Sequence, residues 1–239
     1  MSEPILRLEN VHTDIEQYNI LQGVTFEVPE NAFTVLVGRN GAGKTTTLRT
    51  IMGLWKAREG DVLLRGTDIK SWSTADIARA GVAYVPENMG IFGDLTVREN
   101  MILAARRGSF NTERLEWIFD LFPPLKKFWN LAAGNLSGGQ KQMLSIARAI
   151  IEPCDLLLVD EPTKGIAPAI IEDMIEAFLE LKRLQTTVLL VEQNFAFAEA
   201  LGDTVVVIDD GRVVHQGDME TLSLNKNLQQ QYLGLALNE

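Results

Sequence analysis

Short apolar runs alternate along this chain with stretches whose apolar residues recur at helical spacing, the pattern of an α/β domain built on a mainly parallel sheet. Residues 5–8 and 24–28 predict early strands that form an antiparallel edge piece. Residues 32–37 predict a buried strand leading straight into a glycine-rich loop. The helix after that loop carries Leu48, Ile51, Met52, Leu54 and Trp55 as a core-facing stripe. Further strands are predicted at 61–65 and 82–85, the second stopped by Pro86.

From about Glu87 to Asp155 the strand patterns vanish. Thr96-Val97-Arg98-Glu99 has capping-box spacing, in which hydroxyl and carboxylate satisfy each other's backbone N–H groups. A second helix is predicted over Thr112–Phe122, ending at Pro123-Pro124, and a third from Ser137. This predicts one domain over 1–239: an α/β core from 1–86 and 156–239, with a helical subdomain inserted at 87–155. The core pattern resumes with a strand at 156–160 and a helix after Pro168 carrying Ile171, Ile175, Phe178 and Leu181. A strand at 187–191 precedes a short helix capped by Asn194 and ended near Gly202. Strands at 204–208 and 212–216 flank Asp209-Asp210-Gly211, a hairpin signal, and a helical tail covers 218–234.

Composition narrows the class. A chain of 239 residues with 46% hydrophobic residues can bury a substantial core. With 22 basic against 32 acidic residues the net charge is −10, which argues against broad nucleic-acid binding. The one cysteine, Cys154, forms no internal disulfide, fits a reducing compartment and reads as a buried structural thiol. Apolar runs fall far short of the ~20 residues of a membrane helix, and Met1-Ser2-Glu3-Pro4 does not open a signal peptide. A soluble, cytoplasmic chain is expected, reaching a membrane only by docking on another protein. Trp55, Trp117 and Trp129 read as packing residues, and Arg106-Arg107 and Lys126-Lys127 as solvated faces.

Three motifs carry chemistry. Gly38-Arg39-Asn40-Gly41-Ala42-Gly43-Lys44-Thr45 fits the phosphate-loop pattern and is followed by Thr46. Its glycines let the backbone curl so that N–H groups face phosphate oxygens, and the helix N-terminus adds positive potential. Lys44 is placed for the β- and γ-phosphates, and the Thr45 hydroxyl for Mg²⁺. Leu156 to Glu161 is an apolar strand ending in two acids, Asp160 suited to Mg²⁺ and Glu161 to a water attacking the γ-phosphate. Ser137-Gly138-Gly139-Gln140 is a capping box opening an amphipathic helix. Its bare glycines also admit a close anion, and the spacing leaves open which anion.

In this order and spacing, the three motifs resemble the nucleotide-binding subunit of ATP-binding cassette transporters over essentially the whole chain, Leu136 to Gln140 matching the family signature letter for letter. The resemblance implies a P-loop NTPase fold with a RecA-like core, an antiparallel edge and an inserted helical subdomain. It implies two subunits, alike or different, clamping two ATP molecules head to tail, with Ser137, Gly138, Gly139 and Gln140 of each meeting the ATP held by the other. It implies transmembrane permease subunits docked on the helical subdomain, an external solute-binding protein, and a place on the inner face of the cell membrane. An aromatic on adenine is also implied, and Tyr18 is the candidate.

The chain departs from the general family pattern at three positions. Glu87 stands where glutamine is usual, Ala167 where aspartate is usual, and Gln193 where a switch histidine is usual. Val-Pro-Glu, Gly-Ile-Ala-Pro and Val-Glu-Gln-Asn together look like the second ATPase of bacterial branched-chain and hydrophobic amino-acid uptake systems. Glu161 is then expected as the catalytic base, with Lys44 and Gln193 beside it. Gln193 can donate and accept hydrogen bonds but cannot change charge near neutral pH. Glu87 would be an oxygen ligand for Mg²⁺ or water. Rival readings are a urea, amide or lipopolysaccharide system, a non-transport cassette ATPase, and a P-loop kinase or GTPase. The last has no use for Leu136 to Gln140.

Overall fold

The computed structural model describes residues 4–106 and 108–233, so Arg107 and position 234 of the expected tail lie outside the described residues. In chain order the elements are β1 (Leu6–Ile15), β2 (Tyr18–Val28), β3 (Phe33–Val37), α1 (Lys44–Ile51), β4 (Glu59–Leu64), β5 (Thr67–Asp68), α2 (Thr74–Arg79) and β6 (Val82–Val85). Next come α3 (Val97–Ala104), α4 (Thr112–Leu121), α5 (Pro123–Lys127), a 3₁₀ turn (Ala133–Asn135) and α6 (Gly138–Ile150). The chain continues with β7 (Leu156–Asp160), α7 (Pro168–Arg183), β8 (Thr187–Val191), α8 (Phe195–Leu201), β9 (Thr204–Asp209), β10 (Arg212–Asp218), α9 (Met219–Leu224) and α10 (Lys226–Leu233).

Two sheets form. The larger has strand order β10-β9-β3-β8-β7-β6, parallel except for β10, and the smaller is the antiparallel set β2-β1-β4-β5. The strands of the parallel sheet are apolar on both faces because both faces are covered. Phe33, Val35, Leu157, Val159, Val188 and Leu190 join the core formed with α3 to α8. The intervening Leu36, Leu156, Leu158, Leu189 and Val191 join a second core with α1 and the antiparallel sheet. Strand period thus divides one run of apolar residues between two hydrophobic layers.

Several local expectations meet the physics differently. The two edge strands are much longer than 5–8 and 24–28, because polar residues on their outer faces continue the ladder as far as Ile15 and from Tyr18. The helix after the glycine loop stops at Ile51, so Leu54, half exposed, is outside the buried stripe. The Pro123-Pro124 pair ends α4 and also starts α5, where a proline's fixed φ and missing N–H suit the first turn. The tail is two helices, broken at Asn225. Helix α2, capped by Ser73, was not legible in the apolar pattern, for only Ile77 is buried. Cys154 is half-buried, and burial pushes its thiol up to about 11.

Among the described residues, no strand forms between β6 and β7; the segment is helical or irregular apart from one isolated antiparallel bridge between Thr96 and Ala132. Both capping boxes form in full: Thr96 with Glu99 at the start of α3, and Ser137 with Gln140 at the start of α6. Trp129 packs against Phe110 and Phe119, and Trp117 lies under the Arg114 guanidinium.

Candidate functional site

A parallel sheet puts the C-terminal ends of its strands along one edge, where open α/β folds bind ligands. The order β3-β8-β7-β6 therefore gathers four loops there. They are the glycine loop after β3, Glu192-Gln193-Asn194 after β8, the segment from Glu161 after β7, and Pro86-Glu87 after β6.

The glycine loop is built to leave its donors free. Gly43, at φ 105°, caps α1 with no side-chain hydrogen bond to the first turn, so backbone N–H groups at that end lack a capping acceptor. The Lys44 side chain is 4% exposed; its Nζ donates to the carbonyl oxygens of Gly38 at 3.0 Å and Arg39 at 3.1 Å and lies 3.5 Å from Glu161 Oε1. Gly38 cannot be larger, since a Cβ there would fall 2.1 Å from the Ile208 carbonyl oxygen. The hairpin turn of β9-β10 braces the loop from outside, Gly211 N donating to Ala42 O at 2.9 Å. Arg39, Asn40 and Gly41 are exposed, and Thr46 is partly so. Tyr18 starts β2 and is 61% exposed, two residues before Ile20, whose carbonyl lies beside the Gly43 position. Such a loop, with a buried ammonium and uncapped N–H groups, fits a polyphosphate.

The acid pair sits opposite. Asp160 is fully buried, accepting from Thr45 Oγ1 at 3.0 Å on Oδ1 and from the Tyr84 hydroxyl at 3.2 Å on Oδ2. Burial pushes its carboxyl up to about 6, against the hydrogen bonds from Thr45 and Tyr84; Glu161 and Glu87 add to the rise. The same burial, with Asp160 beside it, holds the Tyr84 phenol up at about 12. A desolvated carboxylate beside a hydroxyl is a hard-oxygen set that fits Mg²⁺. Glu161 is buried and takes φ 46°, a left-handed conformation that a non-glycine residue adopts at a cost on the order of 1–3 kcal/mol. Its Oε1 accepts from Gln193 Nε2 at 2.5 Å, and its backbone N donates to Val191 O at 2.9 Å.

The structure brings together Lys44, Thr45, Asp160, Glu161 and Gln193. Glu87 reaches the same edge, but its carboxylate is paired with Lys164 at 2.5 Å rather than with Thr45. Ala167 is the uncapped start of α7. Among the described residues no hydrogen bond or ion pair joins Ser137 to Gln140 with the glycine loop; Ser137 and Gln140 bond only to each other through side chains. Of the two signature glycines, Gly139 has a reason within this chain, since a Cβ would meet Ile170 at 2.6 Å; Gly138 is exposed.

Residues that sequence reasoning assigned no role complete the site. The buried Glu192 carboxylate accepts four bonds: from Thr163 N (3.0 Å) and Thr163 Oγ1 (2.7 Å) on Oε1, and from Gln193 N (2.8 Å) and Asn194 N (2.9 Å) on Oε2. It ties the loop after β7 to the loop after β8 and thereby orients Gln193. An acid directly after the five-residue buried strand β8 was its one sequence signal. Tyr84 and Lys164 gave none.

A sequence model of the ABC transporter family matches residues 21–164. The high-affinity branched-chain amino acid transport ATP-binding protein BraG of Pseudomonas aeruginosa is 36% identical over 236 residues, covering 96% of this chain and all of that protein. The probable branched-chain amino acid transport ATP-binding protein LivF of Archaeoglobus fulgidus is 33% identical, covering 97% of this chain and 99% of that one. Among solved structures, an ATP-binding cassette of an ABC transporter in its ADP conformation superposes with a TM-score of 0.81 at 26% identity, covering 98% of this chain and all of that one.

Proposed function

This chain belongs to the ABC transporter family, and from that membership we propose that it is the ATP-hydrolysing subunit of a membrane importer for branched-chain or other hydrophobic amino acids. ATP hydrolysis follows from the family. The solute rests on whole-length similarity to branched-chain amino acid transport proteins, and on Glu87, Ala167 and Gln193, the three departures that such systems resemble.

The observation that carries the mechanism is the convergence of Lys44, Thr45, Asp160, Glu161 and Gln193 at one sheet edge while Ser137 to Gln140 stays apart. Lys44 and the loop N–H groups bind the β- and γ-phosphates. Thr45 and Asp160 are the residues that would hold Mg²⁺, which when bound neutralises phosphate charge. Glu161 takes a proton from the attacking water; the new bond forms to the γ-phosphorus as its bond to the bridging oxygen breaks and ADP leaves. Gln193 fixes the Glu161 carboxylate in direction. Ser137 and Gly139 complete the pocket of a second ATPase subunit, the same chain or a relative, and Tyr18 stacks on adenine. Binding closes the pair, hydrolysis reopens it, and permease subunits docked on the segment 87–155 take up the motion on the inner face of the membrane. A solute-binding protein outside delivers the amino acid.

The test is reconstitution with the permease subunits of a branched-chain amino-acid importer: leucine-dependent ATP turnover, together with leucine uptake, is expected. Turnover stimulated by urea or an amide and not by leucine would overturn the solute assignment.

A further inference from the structure

The two oxygens of Glu161 are not equivalent. Oε1 accepts from Gln193 at 2.5 Å and faces Lys44 at 3.5 Å. Oε2 accepts no hydrogen bond among the described residues, and Lys164 Nζ faces it as an ion pair at 3.7 Å. It is therefore the oxygen open to an attacking water. An ammonium only about an ångström closer would fill that acceptor with a charge-assisted hydrogen bond and lower its basicity.

What keeps Lys164 at that distance is visible. Its Nζ donates to Glu87 Oε1 at 2.5 Å, its one hydrogen bond among the described residues. The side chain is 60% exposed, and the other carboxylate within ion-pair range of its ammonium among the described residues is Glu161 itself. The two residues lie in different loops, after β6 and after β7, brought together by the adjacency of those strands. A glutamine at 87 would offer Lys164 a neutral acceptor in competition with the anionic Glu161.

We propose that Glu87 and Lys164 are a positioning pair for hydrolysis, in which the Glu87 carboxylate holds the Lys164 ammonium off the free oxygen of Glu161. The pair rests on Glu161 as the base. It gives Glu87 a task distinct from coordination of Mg²⁺: if restraint is its task, Glu87 matters only while Lys164 is present.

The experiment is a double-mutant cycle on the assembled transporter, measuring kcat and KM for ATP in Glu87→Gln, Lys164→Gln and the combined variant. Binding of a fluorescent ATP analogue with Mg²⁺ is measured alongside, and thermal unfolding confirms that each variant folds. Glu87→Gln is expected to lower kcat about tenfold with KM within about twofold, and the same change on the Lys164→Gln background to alter kcat by less than about twofold. Analogue binding stays within about twofold throughout. An equal loss on both backgrounds, a loss on neither, or weakened binding of the Mg²⁺ analogue in Glu87→Gln overturns the proposal. Glu161→Gln serves as the control. If it retains turnover, the base assignment falls and the pair with it; if it is inactive and the cycle is additive, the pair alone falls.

Discussion

The amide of Gln193 donates to Glu161 at 2.5 Å from the loop after the neighbouring strand, so the carboxylate proposed as the base is aimed by a group that cannot titrate. Glu161→Gln is expected to lower turnover of the assembled transporter by about 10²–10⁴-fold while ATP binding persists. Gln193→Ala, which leaves the base present but unaimed, should lower kcat roughly tenfold with little change in KM. Steady-state kinetics with a parallel nucleotide-binding titration separates the two.

Asp160 makes the nucleotide-free chain sensitive to pH. Its carboxyl is raised from 3.8 to about 6 in the fold, so the fold favours the protonated form. Its contribution to stability is therefore fully present below pH about 4 and is lost as pH rises through about 6. Asp160→Asn should flatten this part of the profile and stabilise the empty chain at neutral pH by on the order of 2 kcal/mol. Urea unfolding between pH 4 and 7, with and without the substitution, measures it.

Two glycines of the phosphate loop should respond differently to alanine. At Gly38 the new Cβ would meet backbone, the Ile208 carbonyl oxygen at 2.1 Å, which cannot step aside. At Gly41 nothing lies within 4 Å, leaving only the strain of φ 81°. Gly38→Ala is expected to cost about 3 kcal/mol or more and Gly41→Ala about 1 kcal/mol, read by denaturant titration.

Glu192→Gln replaces a carboxylate that accepts four bonds with an amide whose NH₂ must face N–H donors. A loss of about 2–4 kcal/mol in stability is expected, with faster hydrogen exchange at Thr163 and Asn194. Turnover should fall with it, because Gln193 loses its anchor.

How much of this was legible in the sequence depended on distance along the chain. The glycine loop, the acid pair and the capped start of α6 are contiguous strings, and their chemistry is fixed by local spacing. The Tyr84–Asp160 and Lys164–Glu87 partnerships span 76 and 77 residues, and only the order β8-β7-β6 creates them. Strand alternation was likewise hidden, because both faces of the sheet are covered and every position of β7 and β8 is buried. Pro123 misled as a pure terminator because its φ suits a helix start as well as a stop. Gly139 was read as room for an anion; its close approach to Ile170 depends on the packing of α6 on α7, which spacing alone does not specify.

On this reading the polypeptide carries half of each hydrolytic pocket. ATP turnover per molecule, measured while the chain is diluted through its association range with mass followed by light scattering, tests it most directly. The rate per molecule is expected to fall toward zero as the preparation becomes monomeric. A strictly monomeric preparation that hydrolyses ATP at an undiminished rate per molecule would contradict it.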